Sequence, residues 1–178
     1  MSRKLILYSA ASLNNKIATI DGEVGWLDSI QHQEGEDYGY AEFYDTIDTT
    51  IMGYSTYAQV KGWDIEWPYK DRKNYVVTSK SDRKVDENVE FVFEKVIDFF
   101  RYLKKQDGKD IWLVGGGQLN TLFLNAGLVD DIILHVMPIL LNGGIDMFAG
   151  NPEIATLSLT STRSFDSGVI EMRYKVKN

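Results

Sequence analysis

Apolar residues along this chain come in short runs that switch between two spacings. Lys4–Ala11 is compact and apolar, the pattern of a strand buried on both faces. Ser12–Trp26 is polar and rich in turn residues (Asn14-Asn15, Asp21-Gly22, Gly25), so it reads as a long loop, and loops of that length inside a compact domain tend to carry function. Asp37–Ile47 sets Tyr40, Phe43, Tyr44 and Ile47 at helical spacing. Thr49–Gly53 then reads as a short strand and Ser55–Val60 as a short helix, followed by an aromatic loop, Trp63–Tyr69. Asn74–Thr78 and Glu90–Phe93 are strand-like. In Glu94–Lys105, Val96, Phe99, Phe100 and Leu103 recur at i, i+3, i+4 and i+7, which predicts an amphipathic helix. Asp110–Val114 is a strand, Gln118–Ala126 a helix with Leu119, Leu122, Phe123 and Ala126 at helical spacing, and Val129–Pro138 a strand after the helix stop at Gly127. Leu157–Phe165 and Val169–Val176 form a hairpin around Asp166-Ser167-Gly168. Along its second arm Ile170, Met172, Tyr174 and Val176 alternate with polar residues. Strands alternating with helices and closing in an antiparallel pair predict an α/β fold. Its sheet is mostly parallel, with helices on both faces and a C-terminal hairpin at or near one edge.

Length and charge narrow the picture. At 178 residues the chain suits one domain, residues 1–178, with a sizeable core. A net charge of −7 without a dense Lys/Arg run argues against nucleic acid or an anionic membrane as partner. The chain has no cysteine and only two histidines, His32 and His135, which leaves no zinc-ligand set, and no metal is expected. MSRKLILYSAAS reads as a first strand rather than a signal peptide, and no stretch is long and apolar enough to span a bilayer. The cytoplasm is the expected location.

Three consecutive glycines, Gly115, Gly116 and Gly117, stand where a strand becomes a helix. The first N–H groups of a helix have no partner within it, and glycines let an anion approach them closely. A tight turn for helix packing explains the same residues. Two other junctions are alike: Gly53, Ser55 and Thr56 follow one strand, and Thr78, Ser79, Lys80, Arg83 and Lys84 follow another. Ordinary cap and turn chemistry accounts for each junction singly. Together they suit an extended ligand with separated phosphates, such as a dinucleotide.

The stretches SAASLNNKIATIDGEVGWL, DTTIMGYSTY, VVTS and IWLVGGGQLNTLFLNAGLVDDIILHVMPILLNGG follow one another in an order and spacing that resembles the dihydrofolate reductase superfamily. The likeness runs over nearly the whole chain. Its most specific part is GGGQLNTLFLNAGLVDDIILHVMPILLNGG, and GLVD with its following strand, proline and Gly-rich turn resembles most nearly the branch of the C-terminal reductase domain of the bifunctional riboflavin-biosynthesis deaminase-reductase. The resemblance implies a three-layer α/β/α fold and an NADPH-dependent reductase. By it, Val114, Gly115, Gly116, Gly117, Gln118 and Leu119 would hold the pyrophosphate. Gly53, Ser55 and Thr56 would lie under the adenosine, and Thr78, Ser79 and Lys80 would meet the 2′-phosphate. Ala11, Ile17 and Ala18 would line the nicotinamide, under a closing loop from Asn14 to Trp26 that excludes water from hydride transfer. Two departures stand out. Tyr54 replaces the basic residue common after the Met-Gly pair, which leaves NADH open as a cofactor. Asn14 replaces a common Asp, keeping size but removing charge.

For the substrate, the resemblance implies a flat nitrogen heterocycle, a pterin or an aminopyrimidine, with Ser9, Asn14, Trp26 and Tyr40 as contacts. A carboxylate on the first helix would fall near Asp37 by spacing back from Met52-Gly53. A helix-capping acid is the competing reading of Asp37. His135 reads as a satisfied core or interface histidine and His32 as a solvated one. The aromatic Trp63–Tyr69 loop reads as an exposed contact patch. Leu128–Leu141 suits either core packing or the interface of an expected homodimer. The rival to an enzyme is a nucleotide-binding sensor or carrier of the same fold without robust turnover, which Asn14 and Tyr54 favour.

Overall fold

The protein is described as a computed structural model over residues 2–30 and 34–177; His32 lies outside the described residues. Eight strands form one sheet. In chain order they are β1 (Leu5–Ser12), β3 (Ile47–Gly53), β4 (Lys73–Val77), β5 (Glu90–Val92), β6 (Asp110–Gly115), β7 (Asp131–Met137), β9 (Thr156–Ser164) and β10 (Ile170–Lys177). Their spatial order is β5-β4-β3-β6-β1-β7-β10-β9. The first six run parallel; β10 pairs antiparallel with β7 and β9 with β10, so the predicted hairpin forms one edge.

The alternation of side chains along β1 sorts two cores. Leu5 and Leu7 join Ile51, Ile111, Leu113, Phe100 and Phe123 beneath α3 (Val96–Leu103) and α4 (Gly117–Asn125). Ile6 joins Phe43, Met52, Tyr57, Val76 and Trp112 beneath α1 (Tyr40–Thr46) and α2 (Tyr54–Lys61). The predicted i, i+3, i+4, i+7 stripe thus becomes α3, with Phe100 fully buried against Phe123 at 5.2 Å between ring centroids. Each such side chain contributes about 2–3 kcal/mol by leaving water.

Three expectations are corrected. Leu122 shares the helical pattern of α4 but is exposed, because a helix lying on a sheet buries only one stripe, here Leu119 and Phe123. Of the apolar residues in the aromatic loop, Trp63 and Ile65 are exposed. Tyr69 is buried, with its ring 5.3 Å from that of Trp112, and Trp67 packs on Tyr57 at 5.9 Å. The Ser12–Trp26 loop holds a strand of its own, β2 (Lys16–Ala18), paired with β8 (Ile145–Asp146), and ends in a short 3-10 helix, Gly25–Ser29. The apolar run at Leu128–Leu141 is mainly core: Leu128, Val129, Ile132, Ile133 and Met137 are buried within the chain.

Candidate functional site

Three neighbouring parallel strands end at one level. Gly53 of β3 stands opposite Val77 of β4, and Met52 opposite Gly115 of β6. Ligands of parallel α/β sheets bind at this end. Here α2 starts at Tyr54 after Gly53, and α4 starts at Gly117 after Gly116, so two helix N-termini lie side by side. Their first N–H groups have no partner inside the helices, which makes the gap between them attractive to an anion.

The three glycines have three different tasks. Gly115 has a φ of +117°, open to glycine but strained for any other residue, and a Cβ there would sit 3.2 Å from Asn120 Oδ1. Gly116 faces the other helix: its Cβ would come 3.3 Å from Thr56 Oγ1, so a bare backbone keeps the space between α4 and α2. Gly117 is turned inward, and a Cβ on it would collide with the carbonyl oxygen of Asp146. Thus Gly116 borders the cradle while Gly117 makes room for the β8 segment. Leu119 is likewise a core side chain with only its backbone N–H toward the cradle. Val114 is half-buried, and Ser55 and Gln118 are exposed.

The segment after β8 ties the cradle to the loop before β2. Ala149 N–H donates to Gly117 O (3.1 Å), Asn120 Nδ2 to Met147 O (2.8 Å), and Met147 N–H to Asn15 O (3.2 Å). Lys16 pairs with Asp146 at 2.6 Å. Asn14 belongs to this fastening: Nδ2 donates to Leu141 O (2.9 Å), while Oδ1 accepts from Leu141 N–H (3.1 Å) and Ser12 Oγ (2.8 Å). A carboxylate cannot donate the first of these bonds, which gives the amide a structural reason. Of the residues expected along the nicotinamide, Ala11 and Ala18 are buried and Ile17 is half-buried against the α4-side core.

The expected substrate contacts Ser9, Asn14, Trp26 and Tyr40 stand on different elements. Ser9 follows Leu5 and Leu7 in the alternation of β1, toward α3 and α4. Tyr40 lies on the α1 side, its ring stacked on Tyr44 at 5.5 Å. Trp26 packs beside Ala10, Tyr38 and Met137, and its indole Nε1 is buried without a hydrogen-bond partner. Asp37 is exposed, and its carboxylate accepts from the N–H groups of Gly39 (2.8 Å) and Ala41 (2.9 Å). The Ala41 and Gly39 bonds hold its pKa below the usual carboxylate value. It caps the start of α1, and this arrangement favours the charged form over a proton donor.

The buried carboxylate on this side is one the sequence did not single out. Glu171 of β10 is 2% exposed and stands opposite His135 of β7. Arg173 grips it with two bonds, Nε to Oε1 at 2.9 Å and Nη2 to Oε2 at 3.1 Å, and Arg163 reaches Oε2 at 3.3 Å. Burial opposes its charge, but Arg173, Arg163 and His135 outweigh that and keep its pKa lowered. Burial pushes the His135 pKa down, against the pull of the Tyr38 carbonyl and Glu171. Its Nε2 faces two acceptors, Tyr38 O at 3.1 Å and Glu171 Oε2 at 3.3 Å, which assigns the proton to Nε2. Tyr8 lies 5.1 Å from the His135 ring and stacks on Phe43 at 4.1 Å. Burial first, then the charge of Glu171, raises its pKa. The alternation in β10 could have pointed to Glu171, a charged residue between strand-formers, but a solvated face explains that pattern equally well.

Comparison with known proteins agrees with this architecture. Residues 3–170 match the family model of the RibD C-terminal domain. The chain belongs to the RibD C-terminal domain family. Within the family it is 40% identical over 170 residues to the uncharacterized protein YwjB of Bacillus subtilis (strain 168), covering 95% of this chain and 96% of that one. A second protein of that organism, YyaP, is 31% identical over 182 residues, covering 97% and 94%. Among solved structures, a putative riboflavin biosynthesis protein from Shewanella sp. PV-4 superposes over all of both chains with a TM-score of 0.88 at 24% identity. Dihydrofolate reductase from Enterococcus faecalis, complexed with NADP(H), does so over all of both chains at 0.67 and 15%. These likenesses establish a dihydrofolate reductase-like fold.

The cradle of this RibD C-terminal domain fits a dinucleotide pyrophosphate by its own geometry. The gap opposite Thr56 exists because Gly116 has no Cβ, and two helix N-termini flank it. Beyond β4, Thr78 is buried, Ser79 and Lys80 are exposed, and Lys80 N–H donates to Thr78 Oγ1 at 3.2 Å. Among the described residues no group of acids and histidines could hold a metal, and no helix is long and apolar enough to cross a membrane.

Proposed function

We propose that this chain is an NADPH-dependent reductase acting on a flat nitrogen heterocycle, a pterin or an aminopyrimidine of the kind reduced in riboflavin biosynthesis. The observation that carries the reading is the bare Gly116 backbone between the starts of α2 and α4. When bound, the nicotinamide supplies the hydride for a C=N or C=O bond. This chain's residues do the rest. The first N–H groups of α2 and α4 receive the pyrophosphate, and Ile17 and its neighbours line the nicotinamide. The β2–β8 pairing holds the loop that excludes water. Family membership and the shared fold support the same reading. A homodimer in the cytoplasm goes with it.

A second reading, a nucleotide binder without robust turnover, draws on two observations: Asp37 is spent on capping, and Glu171 is paired with two arginines.

The deciding experiment is a titration with NADPH and NADH, followed by nicotinamide fluorescence, beside Gly116→Asp. Binding weakened at least about a hundredfold in the variant is expected, since the new carboxylate both fills the cradle and repels phosphate. A folded wild-type protein that binds neither nucleotide would sink the reductase reading. Binding without NADPH oxidation across a panel of pterins and aminopyrimidines would favour the second reading.

A further inference from the structure

The bend between β7 and β8 carries Asn142, the one asparagine of the chain's nine that glycine follows. Its setting differs from that of the others. The side-chain amides of Asn14, Asn74, Asn88, Asn120 and Asn125 are all hydrogen-bonded within the chain. Asn151 precedes proline, whose nitrogen carries no hydrogen. Asn142 is exposed, and among the described residues its amide has no partner. Gly143 is exposed as well, with a φ of +81°, and a Cβ there would meet nothing within 4 Å. Glycine leaves the nitrogen at this position unshielded. Its N–H donates to Leu141 O at 2.9 Å, which closes a three-residue turn. An exposed turn of this kind, outside the sheet, opens readily.

The residues on either side are pinned. Leu141 is fastened to Asn14 by two hydrogen bonds, Nδ2 to Leu141 O at 2.9 Å and Leu141 N–H to Oδ1 at 3.1 Å. Gly144 lies so close on β2 that a Cβ would collide with Ala18 O. Ile145 then stands opposite Ala18, and Asp146 opposite Lys16. Between these anchors the main chain has only Asn142 and Gly143.

We propose that Asn142 is a self-modification site whose conversion to isoaspartate releases the β2–β8 pairing. The Gly143 nitrogen gives up its proton to solvent base and attacks Asn142 Cγ. A bond forms between that nitrogen and Cγ, the Cγ–Nδ2 bond breaks, and ammonia leaves with a proton from solvent. Water then opens the cyclic imide. Breaking the new bond yields aspartate. Breaking the original peptide bond yields isoaspartate, with the main chain running through Cγ. Either product adds a negative charge to a chain already at −7, but isoaspartate alone lengthens the main chain, by one carbon. With Leu141 and Gly144 both pinned, that carbon is accommodated by loosening an anchor. This chemistry needs only water and base, so it is independent of the reductase reading.

Ageing the purified full chain in mildly alkaline buffer at physiological temperature tests the site, read by peptide mass mapping and by isoaspartyl methyltransferase labelling. Asn142 is expected to convert at least about tenfold faster than any other asparagine, and Asn142→Gln to remove the label at this position. Conversion elsewhere first, or none at Asn142, overturns the assignment. Hydrogen exchange of the β2 amides, Lys16–Ala18, reads the consequence. Isolated isoaspartyl protein should exchange there at least about tenfold faster than fresh protein. Asn142→Asp, which gains the charge without the extra carbon, should stay within about twofold of fresh wild type. Equal exchange in fresh and isoaspartyl protein overturns the release of β2, and Asn142→Asp exchanging as fast as the isoaspartyl form overturns the lengthened chain as its cause.

Discussion

The two sides of the β1–β6 strand pair are built on opposite principles. Toward β3 and β4, the carboxyl ends of the strands carry small residues and helix starts. Much of the polarity there comes from the backbone, and the Arg83 guanidinium lies over the Tyr54 ring. Toward β7 and β10, polarity comes from side chains: Glu171, His135, Arg163 and Arg173, from β7 and the β9–β10 hairpin, are locked together beside Tyr8. The first region is open to a phosphate because little there is satisfied internally. The second is closed because its charges satisfy one another. An internally paired network gives rigidity and shape, whereas unspent N–H groups leave room for an anion.

Breaking the closed network should have the largest effect on stability. Glu171→Gln leaves two arginines around a neutral amide, and a loss of about 3 kcal/mol is expected in urea unfolding. A loss below about 1 kcal/mol would mean that water already shares these charges. The pH dependence gives the same test another form. The Glu171 pKa is held below its ordinary 4.5, so its stabilisation is fully present above that value and disappears as pH falls through the lower, folded value. The acid limb of the wild-type stability curve should therefore be steeper than that of Glu171→Gln. Parallel limbs would assign the acid sensitivity elsewhere, for instance to Asp86. Burial works against the charge of Asp86, but Lys61 and Tyr57 outweigh it and hold the pKa at about 2.

Next in size is Gly117→Ala. A methyl group there meets the Asp146 carbonyl, and overpacking of this kind costs about 1–3 kcal/mol. The thermal midpoint should drop. An unchanged midpoint would return Gly117 to the cradle beside Gly116. The smallest effect is expected from Asn14→Asp, which loses the bond to Leu141 O and sets a carboxylate against that carbonyl, at a cost of about 1 kcal/mol. Equal midpoints for wild type and variant would show that the Asn14 amide does not fasten the loop.

The order of strands and helices, the hairpin and the glycine cradle were all legible in the chain. Period-two and period-3.6 patterns are local, and helix N-termini after glycine need no distant partner. The burial of the aromatic loop and the exposure of Leu122 are not legible for a related reason: a residue's spacing says which stripe it shares, not whether another element covers that stripe. Trp67 and Tyr69 became core only because Tyr57 and Trp112 arrive from α2 and β6. The site divides in the same way. The sequence by itself determined the α/β order, the family and the strand–glycine–helix junction, because these follow from short-range pattern and backbone chemistry. Only the tertiary structure decided that Gly117 serves packing, that Asn14 fastens a loop, that Glu171 and not Asp37 is the buried carboxylate, and that Arg83 lies on Tyr54. Each of those depends on a contact between residues at least 20 positions apart, and no local pattern encodes such a contact.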